Sequence, residues 1–151
     1  MLTYDVQLVE SKTQPVAVVH GRHVMKDLPA FLAGAFVEIL DALRRQRLLP
    51  TGPPFGRYRP TPEGFDAEAG FPTSGAVKQT GRVVPSALPG GMVAQVEHFG
   101  SYDDISAAYD AVERWLTEHD YVATGAPWES YPDGPDTPQP RTLVCFPCRP
   151  A

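Results

Sequence analysis

Two copies of one short motif, offset by 73 residues, constrain this 151-residue chain more than any other feature. Residues 124–131 read Thr-Gly-Ala-Pro-Trp-Glu-Ser-Tyr, and residues 51–58 read Thr-Gly-Pro-Pro-Phe-Gly-Arg-Tyr. Thr51, Gly52, Pro54 and Tyr58 recur as Thr124, Gly125, Pro127 and Tyr131, and aromatic Phe55 recurs as Trp128. Glu129 has no such counterpart, because Gly56 takes its place in the first copy. A chain with this repeat is expected to build one local unit twice. A carboxylate that breaks the symmetry between aromatic rings makes Glu129 the leading functional candidate.

The surrounding pattern follows the same order in both halves. Over 3–10, Tyr4, Val6 and Leu8 fall on one face and Asp5, Gln7 and Val9 on the other, as in a half-buried strand, and Pro15–His20 reads as a second strand or its continuation. Asp27 is placed to cap a helix whose apolar residues, Phe31, Leu32, Ala35, Phe36, Ile39, Leu40 and Leu43, recur at helical spacing until about Arg47. A short strand ending near Tyr58, a loop over 60–64 and a strand over 65–72 follow, the last with Ala67, Ala69 and Phe71 on one face. Residues 73–82 read as a joint between halves. In the second half Met92–His98 is a strand, and Ser101 with Asp104 resembles a capping box. Ile105, Ala108, Tyr109, Val112, Trp115 and Leu116 form a second helical stripe, and Arg141–Cys148 is the closing strand. Phe71-Pro72 and Phe146-Pro147 end the two repeats alike. The expected fold is α+β: a duplicated β-α-β-β unit, repeat one over about 3–73 and repeat two over about 82–148. Its antiparallel sheet would carry two helices on one face, in a single domain over 1–151.

Bulk properties narrow the partners. A net charge of −5 argues against nucleic acid, whose binding relies on Lys and Arg neutralising phosphates. Arg44, Arg45 and Arg47 cluster at a helix end, where cations complement the helix dipole. No segment approaches the ~20 apolar residues of a membrane span, and the N-terminus lacks the apolar core of a signal peptide. A soluble, cytoplasmic chain is expected, with no membrane partner.

Alternation places Glu129 and Tyr131 on one strand face, and Trp128 with Ser130 on the other. Such a glutamate can attract a cationic, apolar ligand, the rings adding cation–π attraction of roughly 0.5–2 kcal/mol per contact. Partial burial can instead raise its pKa and suit it to general acid or base work. An exposed glutamate on an edge strand is the plain alternative. Glu68, between Ala67 and Ala69, is a second carboxylate that either points outward or joins the same pocket. Cys145-Phe-Pro-Cys148 lacks the following helix that a redox pair uses, and no second such pair exists for zinc, so structural cysteines are expected. His20 and His23 have no nearby carboxylate or thiol to complete a metal site. No serine elbow, phosphate loop or dinucleotide fingerprint occurs, so no cofactor or metal is expected.

Taken together, Gly52-x-Pro-Phe-x-x-Tyr58, Glu68-x-Gly-Phe-Pro72, Val96-x-His98-x-Gly100-x-Tyr102 and Pro127-Trp-Glu-x-Tyr131 resemble the GyrI-like effector-binding domains, in order and over about residues 3–148. The resemblance implies a duplicated β-α-β-β fold with a ligand groove between its halves, and a pocket glutamate that engages lipophilic cations in multidrug-sensing transcription regulators. It assigns that role to Glu129, with Trp128, Tyr131, Tyr58 and Phe55 as walls. Tyr102 matches a Gly-Pro-Tyr pattern in which Ser101 replaces the proline. The chain carries no helix-turn-helix, which points away from direct DNA binding. Three functions are therefore in view. The first is a stand-alone binder of bulky, aromatic, often cationic molecules. The second is a hydrolase of cyclopropane-bearing DNA alkylators, with Glu129 activating water and Tyr131 or Tyr58 donating a proton. The third is inhibition of DNA gyrase by protein contact. The sequence leaves open whether the protein is an enzyme.

Overall fold

The computed structural model describes residues 4–22, 27–134 and 137–151. In chain order the elements are β1 (Gln7–Ser11), β2 (Gln14–Arg22), α1 (Leu28–Arg45), β3 (Phe55–Thr61), β4 (Gly64–Pro72), β5 (Val84–Leu88), β6 (Gly91–Phe99), a 3-10 turn (Tyr102–Asp104), α2 (Ile105–Glu118), β7 (Tyr121–Ala123), β8 (Trp128–Ser130) and β9 (Arg141–Pro150). The class is α+β. The chain forms two compact units, Thr13–Leu88 and the segment through Lys12 together with Pro89–Ala151.

In the unit Thr13–Leu88, β4 lies between β3 and β2, β5 adds to the far side of β2, and every pairing is antiparallel. Ala17 and Val19 of β2 and Ala69 and Phe71 of β4 face Ala35, Ile39, Ala42 and Leu43 of α1, forming one dry core. The alternation read in 65–72 is therefore the alternation observed. The expected loop over 60–64 is shorter, because Pro60 and Thr61 continue β3 opposite Phe65 and Gly64. The stretch 73–82, expected as a joint, is packed into this unit. Val77 and Val83 join the core, and the Gln46 side chain bonds both the Lys78 backbone and the Thr80 hydroxyl.

The second unit sets β6 between β1 and β9, with β8 and β7 paired along the other edge of β9, again all antiparallel. Ala94, Val96, Val144 and Phe146 meet Ala108, Val112 and Leu116 of α2. β1 pairs with β6 and not with its sequence neighbour β2, because Tyr4, Val6 and Leu8 complete the core under α2.

The repeat is visible in detail. The Thr51 amide donates to the Pro72 carbonyl, and the Thr124 amide donates to the Pro147 carbonyl, each at 2.9 Å. Each helix is followed by a residue in the left-handed region, Arg47 (φ 57°) and Asp120 (φ 58°), again at the 73-residue offset. Capping differs from expectation. Asp27 occupies the N-cap of α1 but its side chain makes no capping bond, and Ser101 accepts from the Asp103 amide to cap the 3-10 turn ahead of α2. Among the described residues no helix is long and apolar enough to cross a membrane.

Two glycines make the packing testable. A Cβ at Gly70 would lie 2.5 Å from Phe55 and 2.9 Å from Val18, both fully buried, whereas one at Gly34 in α1 meets none of the described residues within 4 Å. Gly70→Ala is therefore expected to destabilise by about 1–3 kcal/mol through overpacking. Gly34→Ala should stabilise dilute protein by up to about 1 kcal/mol, or roughly 2–4 °C in Tm. Thermal melts of both variants check this.

Candidate functional site

The short strand β8 decides where Glu129 points. Paired residues in an antiparallel ladder share a face, and Glu129 pairs with Val144, which pairs in turn with Val96. Both valines belong to the core under α2, so Glu129 projects from the sheet toward the helix. It is only 8% exposed. Trp128, one residue earlier, pairs with Cys145 and faces the opposite side.

Two phenols reach the carboxylate. Tyr109 of α2 donates to Oε2 at 2.6 Å, and Tyr131 donates to Oε1 at 3.0 Å. Tyr109 is held edge-on against Phe146 at 5.8 Å, and the half-exposed Tyr102 stands edge-on to Tyr131 at 6.1 Å. Among the described residues no Lys or Arg forms an ion pair with Glu129. Removal from water pushes its pKa up, and the hydrogen bonds from Tyr109 and Tyr131 and the field of His98 offset part of that rise. His98 itself is buried, with Nε2 2.7 Å from the Ser101 carbonyl and Nδ1 2.9 Å from the Tyr4 hydroxyl. A carbonyl only accepts, so Nε2 carries a hydrogen.

The remaining candidates, Phe55, Tyr58 and Glu68, belong to the other unit. Phe55 is buried opposite Gly70, and Tyr58 lies edge-on to Phe65 at 5.8 Å. Glu68 is neither an outward-facing glutamate nor an unpaired one. Arg57 donates to it through Nε at 2.8 Å and through Nη2, and His20 Nδ1 lies 3.5 Å away. Its charge is already matched by a buried guanidinium. Removing that partner in Arg57→Ala should cost roughly 3–5 kcal/mol, measurable by denaturant unfolding, because the carboxylate would stay buried and uncompensated.

His23 lies outside the described residues. Cys145 and Cys148 are both free thiols. Burial pushes Cys145 up to about 12 and raises Cys148 as well, so neither is a ready thiolate.

Sequence reasoning read Tyr109 only as part of an apolar stripe and missed its hydroxyl. The signal was available. Extending the 73-residue offset to the helices matches Tyr109 with Phe36, which stands edge-on to Phe71 at 5.5 Å as Tyr109 does to Phe146. The first copy thus carries Phe36 with Gly56, and the second carries Tyr109 with Glu129. The hydroxyl and the carboxylate enter together.

The GyrI-like small molecule binding domain model matches residues 4–149, and the chain belongs to this family. Among solved structures, the C-terminal domain of EcmrR is similar at 22% identity and a TM-score of 0.80, covering 99% of this chain and 100% of that domain. EcmrR in its DNA complex is similar at 21% identity and a TM-score of 0.77, with 98% of this chain spanning 58% of the EcmrR chain. A hydrolase from Listeria innocua matches at 11% identity and a TM-score of 0.66, covering 95% of this chain and 91% of that one. SAV2435 bound to tetraphenylphosphonium matches at 13% and 0.58, covering 98% and 94%. No curated protein matched the chain.

The raised Glu129 pKa fixes the sign of a pH effect. An unfolded glutamate titrates at about 4.3, and the folded group holds its proton to higher pH. Its favourable contribution to folding is complete below the unfolded value and is lost as pH rises through the folded value. Glu129→Gln, which has no charge to bury, is therefore expected to melt above wild type at pH 8, with the gap closing toward pH 4. A gap independent of pH would contradict the burial of an ionisable carboxyl.

Proposed function

We propose that this protein binds bulky aromatic molecules, many of them cationic, with Glu129 supplying the charge and Tyr109, Tyr131 and Tyr102 the aromatic contacts. The carrying observation is a buried carboxylate whose hydrogen-bond donors, among the described residues, are phenols. Burying a carboxylate without a cation is unfavourable, so the site gains from any ligand that brings a positive charge while keeping water out. An organic cation with apolar substituents meets both conditions, and tyrosine faces add attraction of about 0.5–2 kcal/mol per ring. The family, and the tetraphenylphosphonium complex of a protein with this fold, support the reading.

Tetraphenylphosphonium and neutral triphenylphosphine oxide make a matched pair of probes for titration calorimetry. The cation is expected to bind with micromolar affinity and to lose about tenfold or more, about 1.4 kcal/mol, in Glu129→Gln. The neutral probe should be nearly indifferent to that change. Affinity for the permanently charged probe should rise with pH as Glu129 ionises. Unchanged cation affinity in Glu129→Gln would remove the charge-pairing role.

A second reading has an observation of its own. A carboxyl with raised pKa between two phenols has the parts of a general acid–base site. In that case Glu129 activates water against a strained cyclopropane-bearing alkylator, and Tyr131 donates to the substrate. Chromatography of such a compound incubated with protein decides. Product that forms with wild type and disappears in Glu129→Gln would establish hydrolysis; intact compound would leave binding as the function.

A further inference from the structure

The two helices hold equivalent places in the repeat, yet their outward faces differ. α2 exposes Ser106, Asp110, Glu113, Arg114 and Thr117, an ordinary solvated face. At the 73-residue offset α1 carries Ala33, Val37, Leu40, Asp41 and Arg44. Val37 is 69% exposed and Leu40 42%. Gly34 sits on the same face, weakening the helix, and among the described residues nothing approaches closely enough to require a glycine there. The two ends of this face carry opposite net charge: Asp27 at one, and at the other Arg44 and Arg45, which share the single carboxylate of Asp41. Asp27 is exposed at the N-cap and its side chain makes no capping bond, and the Arg44 side chain, 2.6 Å from Asp41, is 81% exposed.

We infer that the outward face of α1 pairs with α1 of a second copy of this chain, antiparallel, about a twofold axis that seats Val37 against Gly34 of the other copy. The register makes the charges fit. Seven residues separate Val37 from Arg44, and seven separate Gly34 from Asp27, so Arg44 of each copy falls opposite Asp27 of the other. A twofold axis repeats each contact, as an isologous interface requires. Glycine at the crossing lets the backbones approach, and antiparallel helix dipoles favour the arrangement. The polar face of α2 offers no such surface, so association uses α1 alone.

Sedimentation equilibrium tests this on the intact protein. Wild type is expected to show a reversible monomer–dimer equilibrium, with a dissociation constant on the order of 10 µM for so small an interface. Val37→Asp, which installs the residue of the second repeat at an exposed position, should remain monomeric at tenfold higher concentration with an unchanged circular dichroism spectrum. Asp27→Arg and Arg44→Asp should each be monomeric alone. Mixed in equal amounts they should form heterodimers, since the mixture restores both charge pairs. Wild type that stays monomeric to about 0.2 mM, well above that expected constant, would overturn the proposal. So would a dimer indifferent to Val37→Asp, or charge variants that fail to associate when mixed.

Discussion

An aromatic ring on a helix, standing edge-on to a phenylalanine in the sheet, anchors each unit of this protein. Phe36 meets Phe71 in one, and Tyr109 meets Phe146 in the other. Edge-to-face contacts of this kind are directional as well as apolar. Together with the aliphatic residues of each core they hold the helix over its sheet, and hence over what lies beneath it. In the second unit the same contact carries a hydroxyl into the core, where it meets a carboxylate. Site and scaffold are therefore one piece of packing.

Among the described residues two glutamates are buried, and they are treated in opposite ways. Glu68 is matched by Arg57, and the pair forms a closed internal contact between neighbouring strands. Glu129 is matched by phenols, which stabilise the ionised form without cancelling its charge. Hydrogen bonds from neutral donors return only part of the hydration free energy that burial removes. A closed ion pair is structural; a carboxylate left with charge to neutralise favours a cationic ligand. The difference between the two sites rests on one guanidinium.

Much of this was readable in advance. Both helices, the alternation of β4 and the closing strand β9 follow from apolar spacing. The repeat fixed attention on Glu129 because Gly56 stands in its place. The hydroxyl of Tyr109 was harder to see, since a tyrosine in a helical stripe reads as core until its neighbour across the sheet is known. Arg57 drew no attention because nothing local links it to Glu68, eleven residues away. Asp27 is a suitable capping residue by type, yet its side chain leaves the helix backbone unbonded. Capping depends on a rotamer that composition does not set.

By itself the sequence determined the elements, their duplication and the one carboxylate that breaks the repeat, because periodicity and turn chemistry act over a few residues at a time. Tertiary structure decided which face of β8 carries Glu129, that α2 covers it with Tyr109, and that β1 joins β6. Those outcomes depend on strand register and on partners far apart in the chain. A shift of one residue in register would turn Glu129 to the other side of the sheet.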